Sequence, residues 1–157
     1  MQMRLQDYVA NLTESATATL FRNAYAIPPE KLTWTQCEQT RSALDQLQEC
    51  SQTALVFSKI LRGESVEMSP RNFIKAKRER EGWTTIEKCE KHAVTYTLEL
   101  MESIRNFPES RLEERTIAPW GSEVTFGEIL IAQYWNVVWH TGQIAYMQRI
   151  WGDKAMH

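Results

Sequence analysis

Thr125-Phe126-Gly127-Glu128-Ile129-Leu130-Ile131-Ala132-Gln133-Tyr134-Trp135-Asn136-Val137-Val138-Trp139-His140 begins a helical pattern that continues to Trp151, with Gly152 as its stop. Phe126, Ile129, Leu130, Val137, His140, Ile144, Met147 and Trp151 recur at three- and four-residue steps, the spacing that lines one face of a helix. Thr125-x-x-Glu128 has the form of a capping box, in which hydroxyl and carboxylate each satisfy an orphan backbone N–H.

The same grammar recurs upstream. A first segment, from about Gln2 to Tyr25, stops before Pro28-Pro29, with Leu5, Tyr8, Leu12, Ser15, Ala16 and Thr19 as its expected stripe. A second opens at the box Thr35-Gln36-Cys37-Glu38 and ends at Gly63. Its face is Ala43, Leu44, Leu47, Cys50, Ser51, Ala54, Leu55, Ser58 and Leu61. A third opens at Thr84-Thr85-Ile86-Glu87 and carries Ile86, Cys89, Ala93, Thr97, Leu100, Met101 and Ile104 to the breaker at Pro108. Between the second and third lies a polar stretch in which Ser69-Pro70 opens a short extra helix or loop. Pro119-Trp120-Gly121 marks a turn before the last segment. No two-residue alternation is long enough to compete with these helices. The expectation is one all-α domain over residues 1–157, an up-and-down four-helix bundle, with connections long enough to permit a crossover.

Composition narrows the function classes. Apolar residues make up 43% and charged residues 24%, which is globular usage. Eighteen basic against 20 acidic residues leave no general attraction to nucleic acid. The basic run Arg71–Arg80 reads as a solvated face. No stretch approaches the ~18 apolar residues of a membrane span. Cys37, Cys50 and Cys89 are odd in number and widely spaced, which fits a reducing, cytoplasmic setting; each reads as a small buried hydrophobe. His92, beside Lys91, reads as a surface residue, and the terminal His157 as disordered.

His140 sits on the apolar stripe, with Asn136 one turn before it, about 40° round the helix, and Gln133 and Gln143 along the same edge. A buried imidazole needs a partner for each nitrogen, so this face must contain a polar pocket, a water or an ion. Gly142 in a helix costs about 1 kcal/mol relative to alanine, a cost offset where another helix or a partner chain approaches closely. Trp135 and Trp139 form a second apolar stripe, which suggests packing on another subunit.

His140-Thr141-Gly142-Gln143-Ile144, followed by Arg149-Ile150-Trp151-Gly152, resembles the ending of DinB/YfiT-like proteins. Leu32-Thr33-Trp34, Arg41–Leu47 and Pro119-Trp120-Gly121 extend the resemblance over most of the chain. It implies a four-helix bundle, commonly dimeric, with a three-histidine divalent-metal site: one ligand on helix two, two on the last helix. Some members are thiol-dependent transferases or hydrolases. Here His140 matches the second histidine of the last-helix pair, and Asn136 replaces the first. The helix-two position falls on Glu49 or Cys50, and periodicity favours Cys50. Cys50, Asn136 and His140 make a poor metal set, because an amide oxygen is a weak ligand for zinc; Glu49 would improve it. Two functions follow as expectations. The first is a divergent member with a degenerate site and a small-molecule-binding or structural role. The second is an enzyme using zinc or nickel around His140. In either case a homodimer is expected, without nucleic acid or membrane.

Overall fold

The computed structural model describes residues 3–67 and 69–157. Its α-helices are α1 (Leu5–Tyr25), α2 (Ala43–Leu61), α3 (Pro70–Arg80), α4 (Ile86–Asn106) and α5 (Phe126–Ile150). A two-stranded antiparallel sheet, β1 (Arg115–Ile117) with β2 (Glu123–Thr125), precedes α5. The protein is mostly helical, as the periodicity predicts. No described helix is long and apolar enough to cross a membrane.

The four long helices pack as a ring. The main contacts run α2–α4, α1–α4, α1–α5 and α2–α5, so α1 lies diagonally from α2. Helices consecutive in sequence are therefore not neighbours at this step, in contrast to the up-and-down order. The long connection from residue 26 to 42 supplies the crossover. Leu47, Leu100, Ile104, Ile129 and Ile144 are fully buried between the helices.

Helix starts follow the caps, with two corrections. Thr125 and Glu128 form the complete reciprocal box at α5. At α4 the cap is Thr85, accepting from the backbone N–H of Lys88, one residue later than the matched pattern. At α2 the expected Thr35 box does not form. The helix starts at Ala43 behind Ser42, whose hydroxyl accepts from Asp45. Residues 35–42 bring no apolar side chain at helical spacing, and the Thr40 hydroxyl instead bonds the Cys37 carbonyl and N–H, closing a turn. Ser69 caps α3 with Pro70 in its first turn, as expected.

The α1 stripe is also corrected; Gln2 lies outside the described residues. Leu5 and Tyr8 are about half exposed, while Val9, Ala10, Thr13, Ala16, Thr17 and Leu20 face inward. The inward face is built mostly of small residues that let α4 and α5 come close, so the bulky side chains do not mark it. The hairpin was not anticipated, because its strands are only three residues long. Its turn is the anticipated one, with Gly121 at φ +88°, a left-handed conformation that favours glycine. Cys37 is exposed, not buried; Cys50 and Cys89 are buried. His92 is not free on the surface: its ring stacks on Trp83 at 4.0 Å. His157 is held in place, its Nε2 2.7 Å from Asp153.

Candidate functional site

Side by side, α2 and α5 bring Glu49, Cys50 and Thr53 against Gln133, Asn136 and His140. The Gln133 amide donates to the Cys50 carbonyl at 2.8 Å, and the Thr53 hydroxyl donates to Gln133 Oε1 at 2.8 Å. Asn136 Nδ2 donates to Thr53 Oγ1 at 3.0 Å and lies 3.9 Å from the Cys50 sulfur. These bonds join the two helices beside the apolar core that they share.

His140 is only 5% exposed. Its Nδ1 lies 2.9 Å from Gln46 Oε1. The Gln46 amide nitrogen is directed at the Arg41 carbonyl, so Oε1 is the acceptor and Nδ1 donates to it. Nε2 then faces Glu49 Oε1 at 3.5 Å. The other Glu49 oxygen pairs with Arg41 at 2.5 Å, and Arg41 also pairs with Asp45 at 2.5 Å. Burial by itself raises the Glu49 carboxyl. The contact with His140 Nε2 and the charge of Arg41 outweigh it and hold the group at about 2. Burial pushes the Cys50 thiol well above the ordinary range.

Arg41, Glu49, Thr53 and His140 of this network line a groove of about 1430 Å³ between α2, α3 and α5. Apolar walls come from Phe57, Phe73, Ile74, Trp120, Trp135 and Trp139; Gln52, Arg80 and Asn136 join the polar end. Trp135 and Trp139 are 68% and 63% exposed, forming an open apolar rim.

Of the residues singled out from sequence, all four meet here. Both helix-two alternatives reach the site, but differently. Glu49 faces His140, whereas Cys50 points into the α2–α5 seam toward Asn136. Arg41, Gln46 and Arg80 were not anticipated. Arg41, Asp45 and Glu49 follow one another at four-residue steps, a readable signal for an ion-pair ladder. Gln46 and Arg80 carry no comparable pattern.

These residues do not fit a three-imidazole metal site. One imidazole is present, one oxygen of Glu49 is already held by a guanidinium, and Cys50 is buried in the α2–α5 seam toward Asn136. The Asn136 amide directs its nitrogen, not its oxygen, at α2. Among the described residues no group of three His, Cys, Asp or Glu is arranged to hold a metal ion.

No protein-family model matches the chain, and no curated protein matches its sequence. Solved structures do match. A mycothiol-dependent maleylpyruvate isomerase superposes with a TM-score of 0.68 at 13% identity, over 92% of this chain and 63% of that one. A histidine-to-alanine variant of that enzyme gives the same values. The fold is DinB/YfiT-like. At this identity the DinB/YfiT-like likeness concerns architecture alone, and this chain spans under two thirds of the isomerase's length.

Proposed function

We propose that this chain is a divergent DinB/YfiT-like four-helix bundle in which an ion-pair network replaces the metal site, and that it binds a small molecule in the adjoining groove. The observation that carries this reading is the Arg41–Glu49–His140 chain. A permanent guanidinium holds one oxygen of the carboxylate a metal would need, directly beside an open, aromatic-walled groove. The protein whose fold this chain shares is a mycothiol-dependent maleylpyruvate isomerase. With one imidazole, this site supplies hydrogen bonding and charge rather than Lewis acidity.

The reading includes a homodimer in the cytoplasm. Along the outer face of α5, outside the groove lining, Val138 and Tyr146 are exposed, and Glu128 and Arg149 are the helix's only Asp, Glu, Lys or Arg residues. Gly142 on the same face has nothing from its own chain within 4 Å of where a Cβ would be. The glycine thus has no packing role within the protomer, which favours a second copy at this face. The three free thiols suit a reducing compartment.

Native mass spectrometry tests both parts on the purified, untagged protein after dialysis against zinc and nickel. A dimer mass without metal is expected. A near-stoichiometric metal, lost in His140→Ala, would overturn the degenerate site and restore the metal-dependent enzyme. A monomer mass would remove the dimer.

A further inference from the structure

Resting on the homodimer reading, the residues of α5 fix how the two copies meet. Between Glu128 and Arg149 this helix carries no Asp, Glu, Lys or Arg. The exposed faces of α1 and α4 do: Glu14 and Arg22 on the first, Lys88, Lys91 and Glu102 on the second. A long helix side left in water without such charges has the composition of an interface centre. Ile131, Trp135, Val138, Gly142 and Tyr146 follow one another there at three- and four-residue steps, so they form one exposed stripe.

The stripe has two halves. Glu128, Ile131 and Trp135 line the groove, whereas Val138, Gly142, Tyr146 and Arg149 lie beyond it. Laid against each other in opposite directions, the halves are complementary. Trp135 comes level with Gly142, Ile131 with Tyr146, and Glu128 with Arg149. Trp135 is a bulky ring 68% exposed, and Gly142 is bare backbone with nothing within 4 Å of where a Cβ would stand. Glu128 uses only its Oε2 in the capping box, and Arg149 bonds the Lys154 carbonyl through Nη1. Glu128 Oε1 and the rest of the guanidinium are left for an ion pair. A parallel pairing offers none of this: it sets Glu128 against Glu128 and leaves the space at Gly142 unfilled.

We propose that two copies pair through antiparallel α5 helices about a two-fold axis between Val138 and Trp139, so that Gly142 of each copy seats Trp135 of the other. Such an interface is isologous, the same patch meeting itself. The half of α5 beyond the groove in one copy then covers the half that lines the groove in the other. Each groove gains Tyr146 of the partner subunit beside Ile131, and the site is complete only in the dimer.

The test uses the full-length chain with Cys37→Ser, which removes the exposed thiol. Under mild oxidation Val138→Cys should cross-link to its own copy across the axis. Tyr146→Cys alone should not, since its two copies stand at opposite ends of the stripe. Tyr146→Cys mixed with Ile131→Cys should give the mixed cross-link. In sedimentation equilibrium, Gly142→Leu should weaken the dimer roughly ten-fold or more. Its protomer should stay folded by circular dichroism, because no atom of its own chain is in the way and leucine favours helix. Arg149→Glu should weaken the dimer too, and adding Glu128→Gln, which keeps the capping-box form, should recover part of the loss. A dimer that cross-links Tyr146→Cys to itself, or one indifferent to Gly142→Leu, would overturn the antiparallel pairing and leave the homodimer standing. A wild-type monomer would overturn the homodimer and the pairing with it, and would leave the stripe to a different protein.

Discussion

Helix α2 has two seams, and they are built by opposite rules. On one side it presents Leu47, Ala54 and Leu61, which join Cys89, Ala93, Leu100 and Ile104 of α4 in cores closed to water. Toward α5 it presents Gln46, Glu49 and Thr53, which meet His140, Asn136 and Gln133 through directed hydrogen bonds and open onto the groove. The first seam stabilises by area removed from water. In the second, each bond replaces one made to water, so its net contribution is small while the cost of breaking it one-sidedly is large. Stability and the candidate function are thus assigned to different faces of one helix.

The strongest way to break this contrast is to cut into the dry seam. Leu100 is fully buried, and Leu100→Ala should lose about 2–5 kcal/mol in denaturant unfolding, through lost transfer energy and the cavity left behind. A loss no larger than that of any α2–α5 variant would mean that the polar seam carries the stability.

A smaller, pH-dependent effect is expected from Glu49. Its folded-state carboxyl lies at about 2 against an ordinary 4.5, so the folded protein binds its proton more weakly than the unfolded chain does. The resulting stability is fully present above pH 4.5 and is lost as pH falls toward 2. Because the side chain is still partly solvated, its size is on the order of 2 kcal/mol. Glu49→Gln should remove that part of the acid-side slope in unfolding curves taken between those pH values. If wild type and variant lose stability in parallel through the window, the Arg41–Glu49–His140 chain contributes no stability.

The two seams also explain how far the sequence could be read. Apolar faces repeat, so the α4 stripe from Cys89 to Ile104 and the α5 stripe from Phe126 to Met147 were legible directly. Polar contacts do not repeat. Periodicity picked Cys50 over Glu49 because it tests for burial; Cys50 is buried, but it is Glu49 that faces His140. Arg80 was unreadable for another reason. It comes from a short helix with no buried residues, and only the folding back of α3 over α2 brings it within reach of Gln52. The start of α2 failed because Thr35-x-x-Glu38 is a local pattern with no apolar face behind it, whereas Thr125-x-x-Glu128 has one.

The smallest effects sharpen the comparison within a single hydrogen bond. Asn136 donates to Thr53, and Thr53 in turn donates to Gln133, which is 1% exposed. Thr53→Val therefore strands a buried acceptor on Gln133 and should cost about 1–2 kcal/mol. Asn136→Leu removes the outer donor, and Thr53 keeps its bond to Gln133, so nothing buried is left unpaired. That change should stay within about 1 kcal/mol of zero. Thermal unfolding of the two variants measures this asymmetry directly. Equal costs would show that the seam acts as simple packing, with no direction from donor to acceptor. Unequal costs in the expected order would place the essential link of the seam at Thr53–Gln133 and leave position 136, at the edge of the groove, free to vary with the ligand.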